Sequence, residues 1–244
     1  VRLARGHDPG VDLRVGTSGY QYAFWRGGLY SERCKPADML AEYSAKLTTV
    51  EINNTFYRMP KREVLERWAA TVPAHFRFAI KASRRITHIK RLKDPEENVG
   101  YLFSALEGLG DKLAAVLFQL PPNLKKDLPR LDRFLAALPA GARVAIEFRH
   151  ESWFDDEVFA RMRGSNAALC IADQGEGEKA VPFVPTASFG YLRLRREVYT
   201  EDELAEFAAR VAQVATWSEA YAYFKHEEGA PALAFQLLGA AARA

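Results

Sequence analysis

A single (β/α)8 barrel of the TIM type is what the sequence predicts, and three observations predict it. Eight short apolar runs recur with starts 23 to 37 residues apart. Amphipathic helical patterns alternate with them, which argues for an all-parallel sheet. The runs carry polar or charged residues at or near their C-terminal ends, the place where a closed parallel barrel builds its sites. An open doubly wound sheet would instead gather such residues at one switch point. The length of 244 residues is close to the roughly 250 of a one-domain barrel. Residues 13–244 are assigned to that barrel and 1–12 to a short leader.

Taken in order, LRVGTS (13–18) ends on Ser18, and the helical pattern at 36–47 opens with a proline and repeats Met39, Leu40, Tyr43 and Leu47. TVEINN (49–54) presents Glu51 and Asn53 and precedes a pattern with Val64, Leu65 and Trp68. FRFAIKAS (76–83) presents Lys81, with a helix expected at 99–110 ending on Gly110. LAAVLFQL (113–120) presents Gln119, and its helix stops at Pro139. RVAIEFRH (143–150) is the clearest strand. Val144, Ile146 and Phe148 alternate with Ala145, Glu147 and Arg149, so an apolar face meets the helices and a charged face looks inward. Its helix ends on Gly164, and AALCIAD (167–173) then presents Asp173. GYLRLR (190–195) presents Arg193, and Thr200 with Glu203 has the spacing of a capping box. AYAYFKH (220–226) presents Lys225 before a closing helix at about 231–242.

Net charge is +3, from 34 basic and 31 acidic residues, so the global field argues for no particular partner. Nucleic acid would need a local basic patch. Aromatics at 12% and apolar residues at 48% indicate a packed globule. Two cysteines are too few for a disulfide framework, and Cys170 reads as a small buried hydrophobe. The opening VRLARGHDPGVDL lacks the apolar core of a signal peptide. No run approaches the roughly 18 residues of a membrane span. The expectation is a cytoplasmic protein with free thiols and no membrane partner.

Several segments also look familiar. GTSGYQYAFWRGGLY, TTVEINNTFYRMP, FAIKASRRITH, LFQLPP, AIEFRHESWF and YFKHEEGAPALA resemble the YecE-like family, domain of unknown function 72, over about residues 13–240. VEINNTFY, KASRRITH and EFRHESW are its most specific parts. The resemblance implies a TIM-type barrel and supplies no reaction. Family members usually have Trp where Tyr20 stands, an Arg-x-His-Gly run where Arg193-Leu194-Arg195-Arg196 stands, and paired Asn where Lys225-His226 stands. Leu233 takes the place of a usual Asn in the final helix. The first half of the mouth therefore matches the family better than its last two strands.

The chemistry expected at the mouth starts from three carboxylates. Glu51, Glu147 and Asp173 are the candidate catalytic residues, since two acids in different surroundings divide into general acid and general base. The alternative for Glu51 and Glu147 is a structural ion-pair network, Glu147 with Arg149 or Lys81 and Glu51 with a nearby cation. Candidate ligand-binding residues are Tyr20, Asn53, Lys81, His88, Gln119, Arg149 and Arg193. Inward cations on several strands suit a phosphate- or carboxylate-bearing ligand, because guanidinium groups bind such oxygens in pairs. The expected function is an enzyme acting on a small anionic substrate by hydrolysis, isomerisation or lyase chemistry. No cofactor motif is present. A divalent ion such as magnesium or manganese is an open alternative, with the three carboxylates as hard oxygen ligands and Asn53 or Gln119 completing the shell. Tyr20, Tyr22, Trp25, Tyr57 and Trp153 around the rim keep two further readings alive. One is a catalytically inert barrel that binds a ligand or single-stranded nucleic acid, which is not favoured. The other is a glycosidase, for which paired acids would also serve. Oligomeric state is left open.

Overall fold

In the computed structural model, which describes residues 10–173, 175, 181–225 and 227–243, eight parallel strands close into a barrel in chain order. They are β1 (Asp12–Ser18), β2 (Thr49–Ile52), β3 (Arg77–Lys81), β4 (Leu113–Gln119), β5 (Val144–Glu147), β6 (Ala168–Asp173), β7 (Phe189–Leu194) and β8 (Glu219–Phe224). β8 pairs back onto β1, from Asp12 opposite Glu219 to Thr17 opposite Phe224. The helices are α1 (Met39–Ser44), α2 (Arg62–Thr71), α3 (Glu96–Leu106), α4 (Leu128–Ala136), α5 (Asp156–Gly164), α6 (Glu201–Ala212) and α7 (Ala230–Ala241). Among the described residues no helix lies between β6 and β7. β1 begins at Asp12, the last residue assigned above to the leader. Residues 1–9 of that leader lie outside the described residues.

Strand periodicity sorts the side chains into two cores. Val50, Ile52, Phe78, Ile80, Val116, Phe118, Val144 and Ile146 belong to the apolar layer between sheet and helices. Burial of side chains of this size contributes roughly 1.5–3 kcal/mol each. Ala79, Ala115, Leu117, Ala145, Cys170, Tyr191 and Tyr223 form a separate cluster inside the barrel. α6 begins with the expected cap: Thr200 Oγ1 accepts from the Glu203 amide at 3.2 Å, and Glu203 Oε2 accepts from the Thr200 amide at 2.7 Å.

The N-terminal end of the barrel is plugged. Arg143 donates to Glu219, and its guanidinium lies 4.3 Å from the Phe189 ring centre. Arg14 stands 3.7 Å from the same carboxylate. β1 approaches β2 closely because Gly16 has no side chain: a Cβ there would stand 2.0 Å from the Thr49 carbonyl oxygen. The Tyr43 hydroxyl of α1 serves the same junction, accepting from the Thr17 amide at 2.9 Å and donating to the Thr49 carbonyl at 3.0 Å. This joint fixes the height at which Ser18 and Glu51, paired in register, reach the mouth.

Candidate functional site

At the C-terminal end, inward positions on six strands form one hydrogen-bonded chain. Lys81 Nζ donates to Gln119 Oε1 at 2.8 Å, and Gln119 Nε2 donates to Glu147 Oε1 at 2.8 Å. Arg193 then bridges two acids, with Nη1 on Glu147 Oε2 at 2.6 Å and Nη2 on Glu51 Oε1 at 2.9 Å. Glu51 also accepts from Ser18 Oγ at 2.9 Å, Asn53 Nδ2 at 3.0 Å and Tyr191 OH at 2.7 Å. The order of the chain dictates its orientation. A carboxylate only accepts, so Gln119 turns its amide NH2 to Glu147 and its carbonyl oxygen to Lys81.

The triad is out of contact with water: Arg193 is 3% exposed, Glu51 0% and Glu147 1%. Burial alone would push both carboxyls up, but the Arg193 guanidinium and the hydrogen bonds outweigh it and hold both below the usual carboxylate range. Both acids are therefore ionised and their oxygens already engaged. Such a pair fixes Arg193; it is poorly suited to delivering or collecting a proton.

Above this floor lies a cavity of about 540 Å³ lined by Ser18, Asn53, Lys81, Arg193 and neighbouring side chains. Arg84, Arg149, Arg195 and Lys225 complete a wall that, among the described residues, has six cationic side chains and no carboxylate. Arg193 is balanced by its two acids, and Lys225 pairs with Glu227. Among the described residues Lys81 and Arg195 form no ion pair, and each lies near the Arg193 guanidinium as well as the two acids that hold it. Burial and the neighbouring Arg193 bring the Lys81 ammonium down to about 8, against the opposing pull of Glu51 and Glu147. The Phe56 ring supports it, with Nζ 4.4 Å from the ring centre. Nε of Arg193 and Oδ1 of Asn53, both shielded from water, have no hydrogen-bond partner among the described residues.

The loop after β3 brings His88 to the same wall. Residues Arg85–Ile89 form a π-helical turn, a wide turn frequent at functional sites. Arg91, Leu92 and Asp94 follow with φ of 51°, 62° and 42°. Left-handed backbone at three non-glycine residues stores strain that the surrounding packing must hold. His88 Nδ1 shares a 2.9 Å hydrogen bond with Thr87 Oγ1, and its ring meets Phe56 edge-on at 5.0 Å. Partial burial and then Lys81, Arg84 and Arg149 lower its pKa, so the imidazole is neutral at pH 7.

Of the residues expected at the site, Asn53, Lys81, His88, Gln119, Arg149 and Arg193 line the cavity. Glu51 and Glu147 point inward as expected, but they lie beneath the wall and their common partner is Arg193, not Arg149 or Lys81. Asp173 is a correction. Cys170 belongs to the inner cluster and Ala172 pairs with the inward Arg193, so Asp173 has the opposite parity and faces away. It accepts from Arg196 Nε at 2.9 Å, and Arg196 in turn reaches Glu203 of α6. Tyr20 is the second correction. It is 6% exposed, packs 6.2 Å from the Tyr43 ring and lies beneath the loop after β1, outside the cavity wall. Trp25 and Trp153 are likewise buried, their indole N–H groups donating to the Glu227 and Leu124 carbonyls. Phe56 and Tyr191 were not anticipated. Tyr191 was detectable from parity alone, two residues before Arg193 on the same strand.

The magnesium or manganese ligand set expected from Glu51, Glu147 and Asp173 is not assembled: no group of three or more His, Cys, Asp or Glu side chains with metal-holding geometry occurs among the described residues. No helix among them is long and apolar enough to cross a membrane. Two other grooves, of about 780 and 660 Å³, lie at the opposite end, where helices return to strands. In the larger, Arg210 stacks on Phe183 at 4.4 Å and Arg163 Nε donates to the Pro185 carbonyl, so its cations are used by its own wall.

Comparison with known proteins agrees with this architecture. The model of a protein family described as "Protein of unknown function DUF72" matches residues 14–244. UPF0759 protein YecE of Escherichia coli K12 is 32% identical over 116 residues, 47% of this chain and 43% of YecE. UPF0759 protein YunF of Bacillus subtilis 168 is 27% identical over 173 residues, 66% of this chain and 61% of YunF. The aligned segments thus span less than two thirds of either relative. The crystal structure of a DUF72 family protein from Thermotoga maritima MSB8 superposes with a TM-score of 0.82 at 25% identity, covering 95% of this chain and 98% of that one.

Proposed function

The chain belongs to the DUF72 family, and from that premise we propose that it is an enzyme whose mouth binds a small phosphate- or carboxylate-bearing substrate and transforms it by acid–base chemistry of the isomerase or lyase type. One observation carries the reading: among the described residues, six cationic side chains and no acid line a single cavity. Anionic oxygens would be gripped by guanidinium groups of Arg149, Arg195 and Arg193, with Arg84 and Lys225 at the sides.

Catalysis is preferred to inert binding because of Lys81 and His88. A site built only to hold charge is best served by permanent cations. Here the lysine is brought down to about 8 and the histidine is kept neutral, which weakens holding and favours proton transfer near neutral pH. Glu51 and Glu147 are positioning residues in this reading, holding Arg193 from below. A second reading, single-stranded nucleic acid, is favoured by Tyr57, which is 74% exposed on the cavity lip and so offers a face for stacking.

Calorimetric titration with sulfate and phosphate at low ionic strength tests the proposal. Wild type is expected to bind both. Arg149→Glu should weaken binding by about tenfold or more, the loss of one charge-assisted hydrogen bond, with an unchanged melting temperature. A wild type that takes up neither anion contradicts the reading. An oligonucleotide bound far more tightly than sulfate, with a steep salt dependence, would favour nucleic acid.

A further inference from the structure

We infer that Lys81 is a nucleophile that forms an imine, and that the substrate is an anionic carbonyl compound, an aldehyde or ketone bearing a phosphate or carboxylate group. The inference rests on the anion-binding reading above and narrows it to a class of substrate.

No carboxylate among the described residues pairs with Lys81. The two carboxylates nearest the barrel axis are both committed to Arg193. The Lys81 amine has the neutral Gln119 carbonyl as its hydrogen-bond partner and no ion pair among the described residues. Glu147 keeps that amide from rotating, since its NH2 is needed on the acid. One N–H of Lys81 is thereby fixed on Gln119, and in the neutral amine the lone pair is left for the cavity the side chain lines. Burial and the like charges of Arg193 and Arg195 outweigh the pull of Glu51 and Glu147 and the contact with the Phe56 ring, so the amine gives up its proton more readily than an exposed lysine. A lysine beside other cations and against an apolar surface is the arrangement that activates an amine toward carbonyls.

The arginines supply the second half. An anionic group held by Arg149 and Arg195 would bring an attached carbonyl carbon within the same 540 Å³ cavity. The nitrogen lone pair attacks that carbon, the carbonyl π electrons move to oxygen, and one proton passes from nitrogen to that oxygen to give a neutral carbinolamine. A second proton, from solvent, lets the hydroxyl leave as water while the nitrogen lone pair forms C=N, so the imine stands N-protonated and cationic. The cationic imine then withdraws electrons from the adjacent carbon. A neutral His88, sharing the Phe56 ring with Lys81, is placed in the wall as a base for a proton from that carbon.

Reductive trapping on the intact protein tests this. Pyridoxal 5′-phosphate serves as a phosphate-bearing aldehyde, glyoxylate as a carboxylate-bearing one and propionaldehyde as a neutral one, each fixed with borohydride and mapped by peptide mass spectrometry. Both anionic probes are expected to modify Lys81 first. At pH 8 the rate should exceed that of exposed lysines by about tenfold or more, since about half of Lys81 and under about one per cent of an ordinary lysine, with a pKa near 10.4, is then neutral. Sulfate should protect Lys81, and Lys81→Arg should abolish that adduct while leaving sulfate binding. If sulfate binds but label spreads over exposed lysines without preference for Lys81, the imine inference is overturned and the anion reading stands. If propionaldehyde labels Lys81 as fast as the anionic probes and sulfate gives no protection, the lysine is nucleophilic but the anionic substrate class is overturned.

Discussion

Arg193 is the residue on which the mouth depends, and its worth is set by what its removal would leave behind. Two ionised carboxylates lie against it with less than 2% exposure each. Arg193→Met would strand both charges, at a cost of roughly 3–5 kcal/mol. Replacing all three members, with Glu51→Gln and Glu147→Gln added, should recover most of that loss, because the desolvation penalty disappears with the charges. Urea denaturation of the single and triple variants checks both halves. The same network sets an acid limit. Glu51 and Glu147 have folded pKa values below the unfolded value of about 4.3. Their contribution is complete above that unfolded value and is lost as pH falls through the lower folded values. The urea midpoint should therefore drop below about pH 4 in wild type and do so less steeply in the triple variant. An Arg193→Met protein as stable as wild type would contradict the assignment of the triad as buried charge.

The strands show which parts of the site were legible in the sequence. Glu147 lies between Ile146 and Phe148, so its inward direction follows from alternation, and the same reasoning placed Lys81, Gln119 and Arg193. β6 carries no such alternation: Ala168 to Ala172 are all apolar and buried on both faces, so nothing in its pattern distinguishes the parity of Asp173. The terminal acid faces outward and pairs with Arg196 instead of reaching the mouth. Partner choice was also illegible, because Arg193 and Glu51 are 142 residues apart and only barrel closure brings them together. Tyr20 misled for a different reason. An aromatic after a strand either faces the mouth or seals the loop, and packing against Tyr43 decides for the loop. The β1–β2 joint offers a direct test of the register that carries these residues. Gly16→Ala would drive a methyl into the Thr49 carbonyl oxygen, a backbone atom that cannot rotate away. The expected loss is about 2–3 kcal/mol, read as a lower melting temperature. A neutral effect would mean that β1 does not approach β2 at this height.

Across the whole molecule, polar chemistry is divided between the two ends of the barrel. The N-terminal plug pairs its charges internally, Arg143 and Arg14 with Glu219. Among the described residues, the C-terminal mouth gathers six cationic side chains and no carboxylate into the wall of its cavity. That asymmetry is invisible in a net charge of +3, since it arises from where the strands send their side chains. The most direct measurement is an anomalous difference map from crystals soaked in selenate, a heavy analogue of sulfate whose charge is constant across neutral pH. The expected result is a peak inside the cavity within hydrogen-bond reach of Lys81 or Arg149, weaker in crystals of Arg149→Glu. Peaks confined to the outer surface, with the cavity empty of selenate in wild type, would contradict it.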